Sequence, residues 1–332
     1  MVELTLILDG ASEARGPRTS LERARTPNLD RLASAGTLMR LRTVPPGLPA
    51  GSETAIPALL GWRAPAPVDR GALEAAAIGL ELERGWRAWR IDVIGADGRR
   101  PGAGAVGGAA EALRKRLPDH RVRRLRGHRL LVSGPPPLPA AARGTGLRPW
   151  PEGAVPPRLL DSTTAMVAAP SAAAGAARLL GARVLEPAGA TGGTDTDLLA
   201  KAEAAREAAA AGARRVFVHV GGPDEAAHEH DRAAKLAILE RVDRELVPPL
   251  AELARSSGAT LRVCPDHGCD PRSGEHDAAP VPCLLWRAGE SPAGPSPRYP
   301  SSVPDPQRRL TERAVAALPV IDPEPLAEAV AA

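Results

Sequence analysis

The sequence predicts an α/β fold with a mostly parallel central sheet and flanking helices. Three observations indicate it. An apolar, strand-like run over Glu3–Leu8 stops at Asp9-Gly10, an amphipathic helical segment follows it, and later strand-like runs also have Asp or His at one end. Strands that alternate with helices are typical of α/β folds. Because ligands of open α/β sheets bind at the carboxyl ends of strands, the functional site is expected at that edge.

Length and composition exclude several classes of protein. The 332 residues suffice for two domains, or for one large domain with an insertion. With 43% apolar and 25% charged residues, the chain is not disordered as a whole, and 2% aromatic residues do not supply stacking platforms for single-stranded nucleic acid. The net charge is +4. The basic residues concentrated between Arg114 and Arg129 lack a recognition motif, so we interpret them as a solvated face and expect no nucleic-acid partner.

The cysteines and the first residues predict where the protein works. Three cysteines, Cys264, Cys269 and Cys283, form neither a disulfide framework nor a paired CxxC zinc site, which fits a reducing cytoplasm. The first residues show no signal peptide, and the Ala-rich stretch 165–180 is interrupted by Pro and Gly. We therefore expect a cytoplasmic protein without a membrane partner.

The first third of the chain contains two elements with clear starts. Thr26-Pro27-Asn28 opens a helix that ends at Gly36. A loop rich in Pro and Gly over 43–51 then delivers Ser52 at the start of a helix-like segment. A serine there suits an anionic group bound to its oxygen, because the helix dipole favours negative charge. The same pattern also fits an ordinary helix cap.

The middle of the chain has a different texture. Residues 96–157 are rich in Gly, Pro and Arg, which suggests an inserted module or its linkers. We predict a smaller inserted α+β cap domain over residues 68–162, and a core domain formed by residues 1–67 and 163–332.

The last third contains three more strand-like runs and one long helical stretch. The strands are predicted at 214–220, 260–264 and 281–286, and the helix at 225–253. The second run ends at Pro265-Asp266-His267, and the third begins just after the loop that carries His276.

Histidines and aspartates cluster in this region. Five of the seven histidines lie between His219 and His276. Asp224 and His228 are four residues apart at a helix start, so they share a face and can hold one ion together, although such a pair is commonly a surface salt bridge. Adjacent Asp266 and His267 point different ways and could serve two neighbouring ions, which suits a dinuclear site.

Three other residues qualify this interpretation. The donors are oxygen and imidazole without thiolate, which favours Zn²⁺ or Mn²⁺, although Cys264 lies close in sequence. His219, inside an apolar strand, is expected to be a core or supporting residue, and His230 is expected to be solvated.

Seven stretches together resemble a known family, the archaeal-type cofactor-independent phosphoglycerate mutases of the alkaline phosphatase superfamily. Their order and combination carry the resemblance, which covers the chain except for much of the middle. They are LILDG (6–10), TSLERARTPNLDRLASAG (19–36), PPGLPAGSETAIPALLGW (45–62), RGALEAAAIGLEL (70–82), GATGGTDTD (189–197), VHVGGPDEAAHEHD (218–231), and PDHG with HDAAPVP (265–268 and 276–282).

The resemblance implies an alkaline-phosphatase-like sandwich, two divalent metal ions, Mn²⁺ or Zn²⁺, and a small phosphorylated substrate. Ser52 resembles the serine that is transiently phosphorylated. The residues that match ligands of the metal next to it are Asp9, Asp266 and His267, with Ser52 itself. Those that match ligands of the second metal are Asp224, His228 and His276. Two cations beside a phosphoryl group neutralise charge and favour the serine alkoxide.

Substrate recognition departs from the family pattern. Arg70 and Arg90 match stretches of the family and are candidates for holding carboxylate or phosphate, although surface arginines would look the same. Gly221 stands where the family often has lysine, and Ile56 where it commonly has asparagine.

Three functions are compatible with these residues. The first is a mutase that interconverts 3-phosphoglycerate and 2-phosphoglycerate through phosphoserine. The second is a phosphomonoesterase, or a mutase or hydrolase for another small phosphate or phosphonate. The third is a metal-binding relic without catalysis.

Overall fold

The structure is a computed structural model that describes residues 2–14, 18–99, 101–289 and 308–323. Within these ranges, the strands form two main β-sheets and a short two-stranded ribbon. Helices pack against the two sheets. The strands in chain order are β1 (Glu3–Leu8), β2 (Thr37–Leu41), β3 (Arg87–Val93), β4 (Arg121–Arg124), β5 (Arg129–Gly134), β6 (Leu147–Pro149), β7 (Thr164–Val167), β8 (Arg183–Leu185), β9 (Arg215–Val220), β10 (Thr260–Pro265), β11 (Gly268–Asp270), β12 (Glu275–Asp277), β13 (Val281–Arg287) and β14 (Val320–Ile321).

The helices lie between these strands along the chain. In order they are α1 (Ser20–Arg23), α2 (Pro27–Ala35), α3 (Ser52–Leu59), α4 (Arg70–Ala77), α5 (Ala103–Arg116), α6 (Ala172–Leu180), α7 (Leu198–Ala210), α8 (Gly222–His228), α9 (Arg232–Arg241), α10 (Val247–Ser257) and α11 (Glu312–Val315).

The larger sheet has the strand order β14-β2-β13-β10-β1-β9-β7-β8. Strand β1, the first in the chain, pairs in parallel with β10 on one side and with β9 on the other. β13 runs antiparallel to β10, so β13 begins at the edge where β1 and β10 end. The predicted mostly parallel sheet is therefore confirmed, and its edge collects the polar residues that follow β1 and β10 together with those that precede β13.

The core of the larger sheet lies on both of its faces. Leu6 and Leu8 of β1 belong to one apolar cluster, and Ile7 belongs to the other. All three side chains are fully buried. A strand that is buried on both faces reads as a continuous apolar run, which is why β1 was predictable from the sequence.

A second sheet has the strand order β4-β5-β3-β6 and is antiparallel throughout. Helix α5 supplies Val106 and Leu113 to its apolar core, which also contains Trp89 and Ile91. These strands lie within the segment 68–162, for which we predict a separate domain, and the division into two domains stays a prediction.

Helix α4 packs between the two sheets with two close backbone approaches. A Cβ atom at Gly71 of α4 would lie 1.9 Å from the carbonyl oxygen of Ala88 in β3. A Cβ atom at Gly175 of α6, which lies against the larger sheet, would lie 2.2 Å from the carbonyl oxygen of Leu73 in α4. Glycine at both positions thus allows α4 to contact both neighbours at once.

The predicted helix over 225–253 is wrong as a single element. Helix α8 ends at His228, and His230 has a φ of 57°, which breaks the helical path. Asp231 then caps α9, because its side chain accepts a hydrogen bond from the backbone N–H of Ala234. A π-helical turn at Val242–Leu246 separates α9 from α10. Because of this break, His228 is the last residue of the short helix α8.

Among the described residues, we find no helix with the length and apolar character that crossing a lipid bilayer requires.

Candidate metal centre

The candidate centre lies at the edge of the larger sheet where β1 and β10 end. Asp9 follows β1 and Asp266 follows β10. Gly10 makes the turn with a φ of 59° and donates its N–H to Asp266 Oδ1 at 3.0 Å. A Cβ atom at Gly10 would lie 2.4 Å from Asp224 Oδ1. Glycine at this position therefore lets three carboxylates approach one another.

Ser52 is the first residue of α3 and contacts two of the predicted ligands. Its Oγ donates a hydrogen bond to Asp9 Oδ1 at 3.0 Å and lies 3.3 Å from His267 Nε2. His267 Nδ1 lies 3.1 Å from the carbonyl oxygen of Gly268. In the neutral imidazole, Nδ1–H donates a hydrogen bond to that carbonyl, which leaves Nε2 as the free electron-pair donor on the Ser52 side.

Asp266 is fully buried and uses its two oxygens differently. Oδ1 accepts hydrogen bonds from the backbone N–H groups of Gly10 and His267, at 3.0 and 2.9 Å. Oδ2 is buried and has no hydrogen-bond partner among the described residues. Since a buried unpaired carboxylate oxygen costs free energy, this atom fits a ligand of a cation.

A second cluster lies beside the first. His228 Nε2 is 3.3 Å from Asp224 Oδ2, and His276 Nε2 is 3.2 Å from Asp224 Oδ1. The two imidazole Nε2 atoms are 2.9 Å apart. His276 Nδ1 lies 3.2 Å from the carbonyl oxygen of Ala50, which directs its Nε2 toward the cluster. The predicted shared face of Asp224 and His228 is thus seen in α8.

Cys269 belongs to this second cluster as well. One donor atom each of Asp224, His228, Cys269 and His276 lies within 4.8 Å of the others. The structure thus brings a sulfur atom close to the predicted oxygen and imidazole donors, and the sequence pattern did not include it. The nearby cysteine is Cys269, whereas Cys264 is buried next to Cys283. The sequence did not reveal Cys269, because its position depends on the register in which β11 pairs with β12. This register places Cys269 directly opposite His276.

The pKa values of the site reflect its concentrated charge. Burial and Asp224 raise the pKa of Asp9, but hydrogen bonds from His219 and His267 outweigh them and hold it at about 2. Burial, with a further contribution from the charge of Asp9, raises the pKa of Asp266 to about 6. Burial lowers the pKa of His267, but the charges of Asp266 and Asp9 raise it well above the usual range. A site with these carboxylates attracts cations.

The predicted ligands of the two ions fall into adjacent groups. Asp9, Asp224 and His267 also have donor atoms within 4.8 Å of one another, so Asp224 faces both groups. The residues fit divalent metal ions, because Asp266 Oδ2, which lacks a hydrogen-bond partner among the described residues, and the Nε2 atoms of the three histidines lie together at one edge of the sheet.

The two predicted substrate arginines lie together but are already paired. Arg90 is buried, and its guanidinium bonds Asp92 at 2.8 and 3.2 Å and Glu74 at 3.1 Å. Arg70 donates to Glu53, the neighbour of Ser52, at 2.7 Å. Both guanidinium groups lie over the ring of Trp150. No described contact joins either arginine to the ligand cluster, and Arg70 Nε is buried without a hydrogen-bond partner in the described chain.

Two further histidines of the last third, His219 and His230, lie as expected, one in the core and one exposed. His219 is buried in β9, with Nε2 at 3.1 Å from Asp9 Oδ2, so it supports a predicted ligand. His230 is exposed.

Comparison with known proteins identifies relatives of this chain. The model of the metalloenzyme superfamily matches residues 2–303. A 2,3-bisphosphoglycerate-independent phosphoglycerate mutase of Methanopyrus kandleri is 29% identical over 86% of this chain and 87% of its own length. One of the enzymes of that name from Archaeoglobus fulgidus is 28% identical over 86% of this chain and 88% of its own length.

Two solved structures share the fold. A protein from Pyrococcus horikoshii superposes with a TM-score of 0.74 at 22% identity, over 95% of this chain and 92% of its own. A cofactor-independent phosphoglycerate mutase from Thermoplasma acidophilum superposes with a TM-score of 0.59 at 20% identity, over 100% and 99% of the two chains. The predicted α/β sandwich is therefore confirmed by its neighbours.

Proposed function

This chain belongs to the metalloenzyme superfamily, and on that premise we propose that it is a metal-dependent phosphoglycerate mutase that works through a phosphoserine at Ser52. The relatives named as cofactor-independent phosphoglycerate mutases support the proposal over most of the chain. The observation that carries it is the contact of the Ser52 hydroxyl with Asp9 and His267, at the start of a helix and beside a second group of metal-binding residues.

The proposed metal residues form two sets. Asp9, Ser52, Asp266 and His267 would hold one divalent ion, and Asp224, His228 and His276 would hold the other. When bound, such ions neutralise phosphoryl charge and favour ionisation of a coordinated hydroxyl. Mn²⁺ and Zn²⁺ are the proposed ions.

Within this chain, Ser52 acts as the nucleophile. Its Oγ loses its proton to solvent as it forms a bond to phosphorus, the bond from phosphorus to the glycerate oxygen breaks, and that oxygen takes up a proton from solvent. The other hydroxyl of the same glycerate then loses its proton as it attacks phosphorus, the bond from phosphorus to Ser52 Oγ breaks, and Ser52 regains a proton. The dipole of α3 favours the added negative charge on Ser52. Isomerisation requires the glycerate to stay bound between the two transfers.

Arg70 and Arg90 are proposed to hold that substrate, and the two differ in how much of each guanidinium is free. Arg70 keeps a buried Nε without a partner among the described residues, and it touches Glu53 next to Ser52. Arg90 already has its guanidinium bonded to Asp92 and Glu74 and placed over Trp150, so a substrate group that binds Arg90 has to share the guanidinium with these carboxylates.

The paired state of Arg90 also favours a second candidate function. Carboxylates that neutralise a substrate-holding arginine weaken retention of the glycerate, and water would then discharge the phosphoserine. The protein would then be a phosphomonoesterase for small phosphorylated substrates.

A product assay tests both functions. Protein loaded with Mn²⁺ or Zn²⁺ and given 3-phosphoglycerate is expected to form 2-phosphoglycerate, and Ser52→Ala is expected to form none while it retains metal. Release of inorganic phosphate without 2-phosphoglycerate would replace the mutase by the hydrolase. Neither product from metal-loaded protein would refute both.

A further inference from the structure

We infer that Cys269 is a fourth protein ligand in the group formed by Asp224, His228 and His276, so that this position of the centre selects a thiophilic divalent ion such as Zn²⁺. The inference rests on the proposed metal centre and is independent of which phosphorylated substrate the protein uses.

The fold places the Cys269 thiol in the cluster by strand register. Cys269 of β11 pairs directly with His276 of β12 in an antiparallel ribbon. Directly opposed residues in such a ribbon project their side chains from the same face. The Cys269 Sγ, an Asp224 oxygen and one nitrogen from each of His228 and His276 consequently lie within 4.8 Å of one another. Cys269 is fully buried, so its thiol faces this cluster rather than solvent.

The backbone of Cys269 is fixed on both sides. Its N–H donates to the carbonyl oxygen of Ser12 at 2.9 Å. Its carbonyl oxygen accepts a hydrogen bond from Lys235 Nζ at 2.6 Å. Lys235 is itself fully buried and lies 3.2 Å from Glu13 Oε1. Burying a charged group costs free energy unless the group is paired. The contacts of Lys235 with Glu13 and with the Cys269 carbonyl therefore favour one position of the Cys269 backbone. Groups that fix the orientation of a ligand in this way are typical of metal sites.

The donor chemistry differs between the two positions of the centre. Asp224, His228, His276 and Cys269 offer oxygen, two nitrogens and sulfur, a four-coordinate set that suits Zn²⁺. Asp9, Ser52, Asp266 and His267 offer oxygen and nitrogen only, which also suits a harder ion such as Mn²⁺. The Cys269 thiol releases its proton to solvent as the bond from sulfur to metal forms. The two positions are thus expected to prefer different metals.

Cobalt substitution tests the assignment without using activity. The full chain is freed of metal, loaded with Co²⁺, and its near-ultraviolet absorption is recorded. A thiolate-to-cobalt charge-transfer band is expected in the unaltered chain and in the control variants Cys264→Ala and Cys283→Ala. The band is expected to be lost in Cys269→Ser, with Zn²⁺ binding weakened by about tenfold to a hundredfold. No band in the unaltered chain, or a band that persists in Cys269→Ser, would overturn the inference.

A second measurement covers the case in which Cys269→Ser does not fold. X-ray absorption of the unaltered chain loaded with Zn²⁺ is expected to show a sulfur neighbour at about 2.3 Å, which averages to about half a sulfur per zinc when both positions hold Zn²⁺. A shell of nitrogen and oxygen alone would refute sulfur ligation. Measuring mutase activity of the same samples separates the two proposals, because a sulfur ligand without mutase activity rejects only the proposed function, and mutase activity without a sulfur ligand rejects only this inference.

Discussion

The two carboxylate oxygens of the buried Asp266 side chain have different roles. Oδ1 accepts hydrogen bonds from Gly10 and His267 and so orders the turn after β10. Oδ2 has no hydrogen-bond partner among the described residues, and it lies 3.6 Å from His267 Nε2, on the side of the proposed metal. Replacing the second oxygen alone therefore separates the fold from the chemistry.

The variant Asp266→Asn makes this replacement. It keeps an oxygen for the two backbone donors and removes the charge and one ligand atom, so we expect turnover to fall by at least about a thousandfold with little change in melting temperature. Steady-state kinetics and thermal unfolding measure the two effects. Asp270→Asn, on the neighbouring ribbon, is the matched control. Near-normal turnover in Asp266→Asn would remove the basis for the metal assignment.

Lys201 provides a prediction about pH. It is fully buried, its Nζ donates to the carbonyl oxygen of His219, and burial lowers its pKa from 10.5 to about 8. Between these values the unfolded chain binds a proton that the folded chain lacks, so stability gains from rising pH. At lower pH the folded protein bears the full cost of a buried ammonium group.

The comparison is with Lys201→Met. The unaltered chain is expected to gain roughly 3 kcal/mol of unfolding free energy relative to the methionine variant between about pH 7 and about pH 11. Urea unfolding of both proteins at several pH values measures the difference. A difference that is constant with pH would show that Lys201 titrates normally in the folded protein.

Residue types and their order predicted most of the side chains that the structure brings together at the candidate centre, but not Cys269. Asp9 and Asp266 were found because each follows an apolar strand, and Asp224 and His228 because four residues separate them on a helix. Cys269 was missed because its role depends on the register of two short strands, and register is set by contacts distant in sequence.

At the scale of elements, α4 shows how tightly the two sheets are joined. Gly175 of α6 brings the helix backbone against Leu73 of α4, where a Cβ atom would lie 2.2 Å from a carbonyl oxygen. A methyl group there must push two helix backbones apart. The site depends on this contact, since Arg70 at the start of α4 reaches Glu53 beside Ser52.

Two glycine-to-alanine variants are therefore expected to change the free energy of unfolding in opposite directions. Gly175→Ala is expected to destabilise the protein by about 1 to 3 kcal/mol through overpacking. Gly108→Ala, in the exposed middle of α5 where a Cβ atom meets nothing within 4 Å, is expected to stabilise by up to about 1 kcal/mol. Denaturant unfolding measures both. Equal effects from the two variants would mean that α4 and α6 can separate at little cost.

The elements themselves were predictable to different degrees. β1 and β10 have mainly apolar, strand-like runs, and both match the structure to within one residue. The region from 225 to 253 carries a helical pattern throughout, but local capping by Asp231 and the positive φ of His230 divide it. Hydrophobic periodicity does not report such breaks.

At the scale of the whole molecule, the proposed ligands come from five separate chain segments. Asp9, Ser52, Asp224 with His228, Asp266 with His267, and His276 all converge on one edge of the larger sheet. Any ion bound there ties these segments together in the folded state only. Metal binding is therefore coupled to global stability.

Removing metal should lower the melting temperature. At roughly a hundredfold excess over Kd, each ion adds about 2.7 kcal/mol, so a chelator is expected to lower the melting temperature by several degrees, and added Zn²⁺ to restore it. Differential scanning calorimetry measures the shift. The shift should shrink in His276→Ala, and a chelator without effect on the unaltered, metal-loaded chain would contradict coupling.

The position of β1 in the sheet has a consequence for biosynthesis. This strand lies between β9 and β10, which follow it by about 200 and about 250 residues of chain and are translated long after it. Until both emerge from the ribosome, the apolar segment over Glu3–Leu8 has neither of its partners. Closing such long loops is slow, and an unpaired apolar strand promotes aggregation. The nascent chain is therefore expected to depend on chaperone protection of its N-terminal segment until the last third has been made.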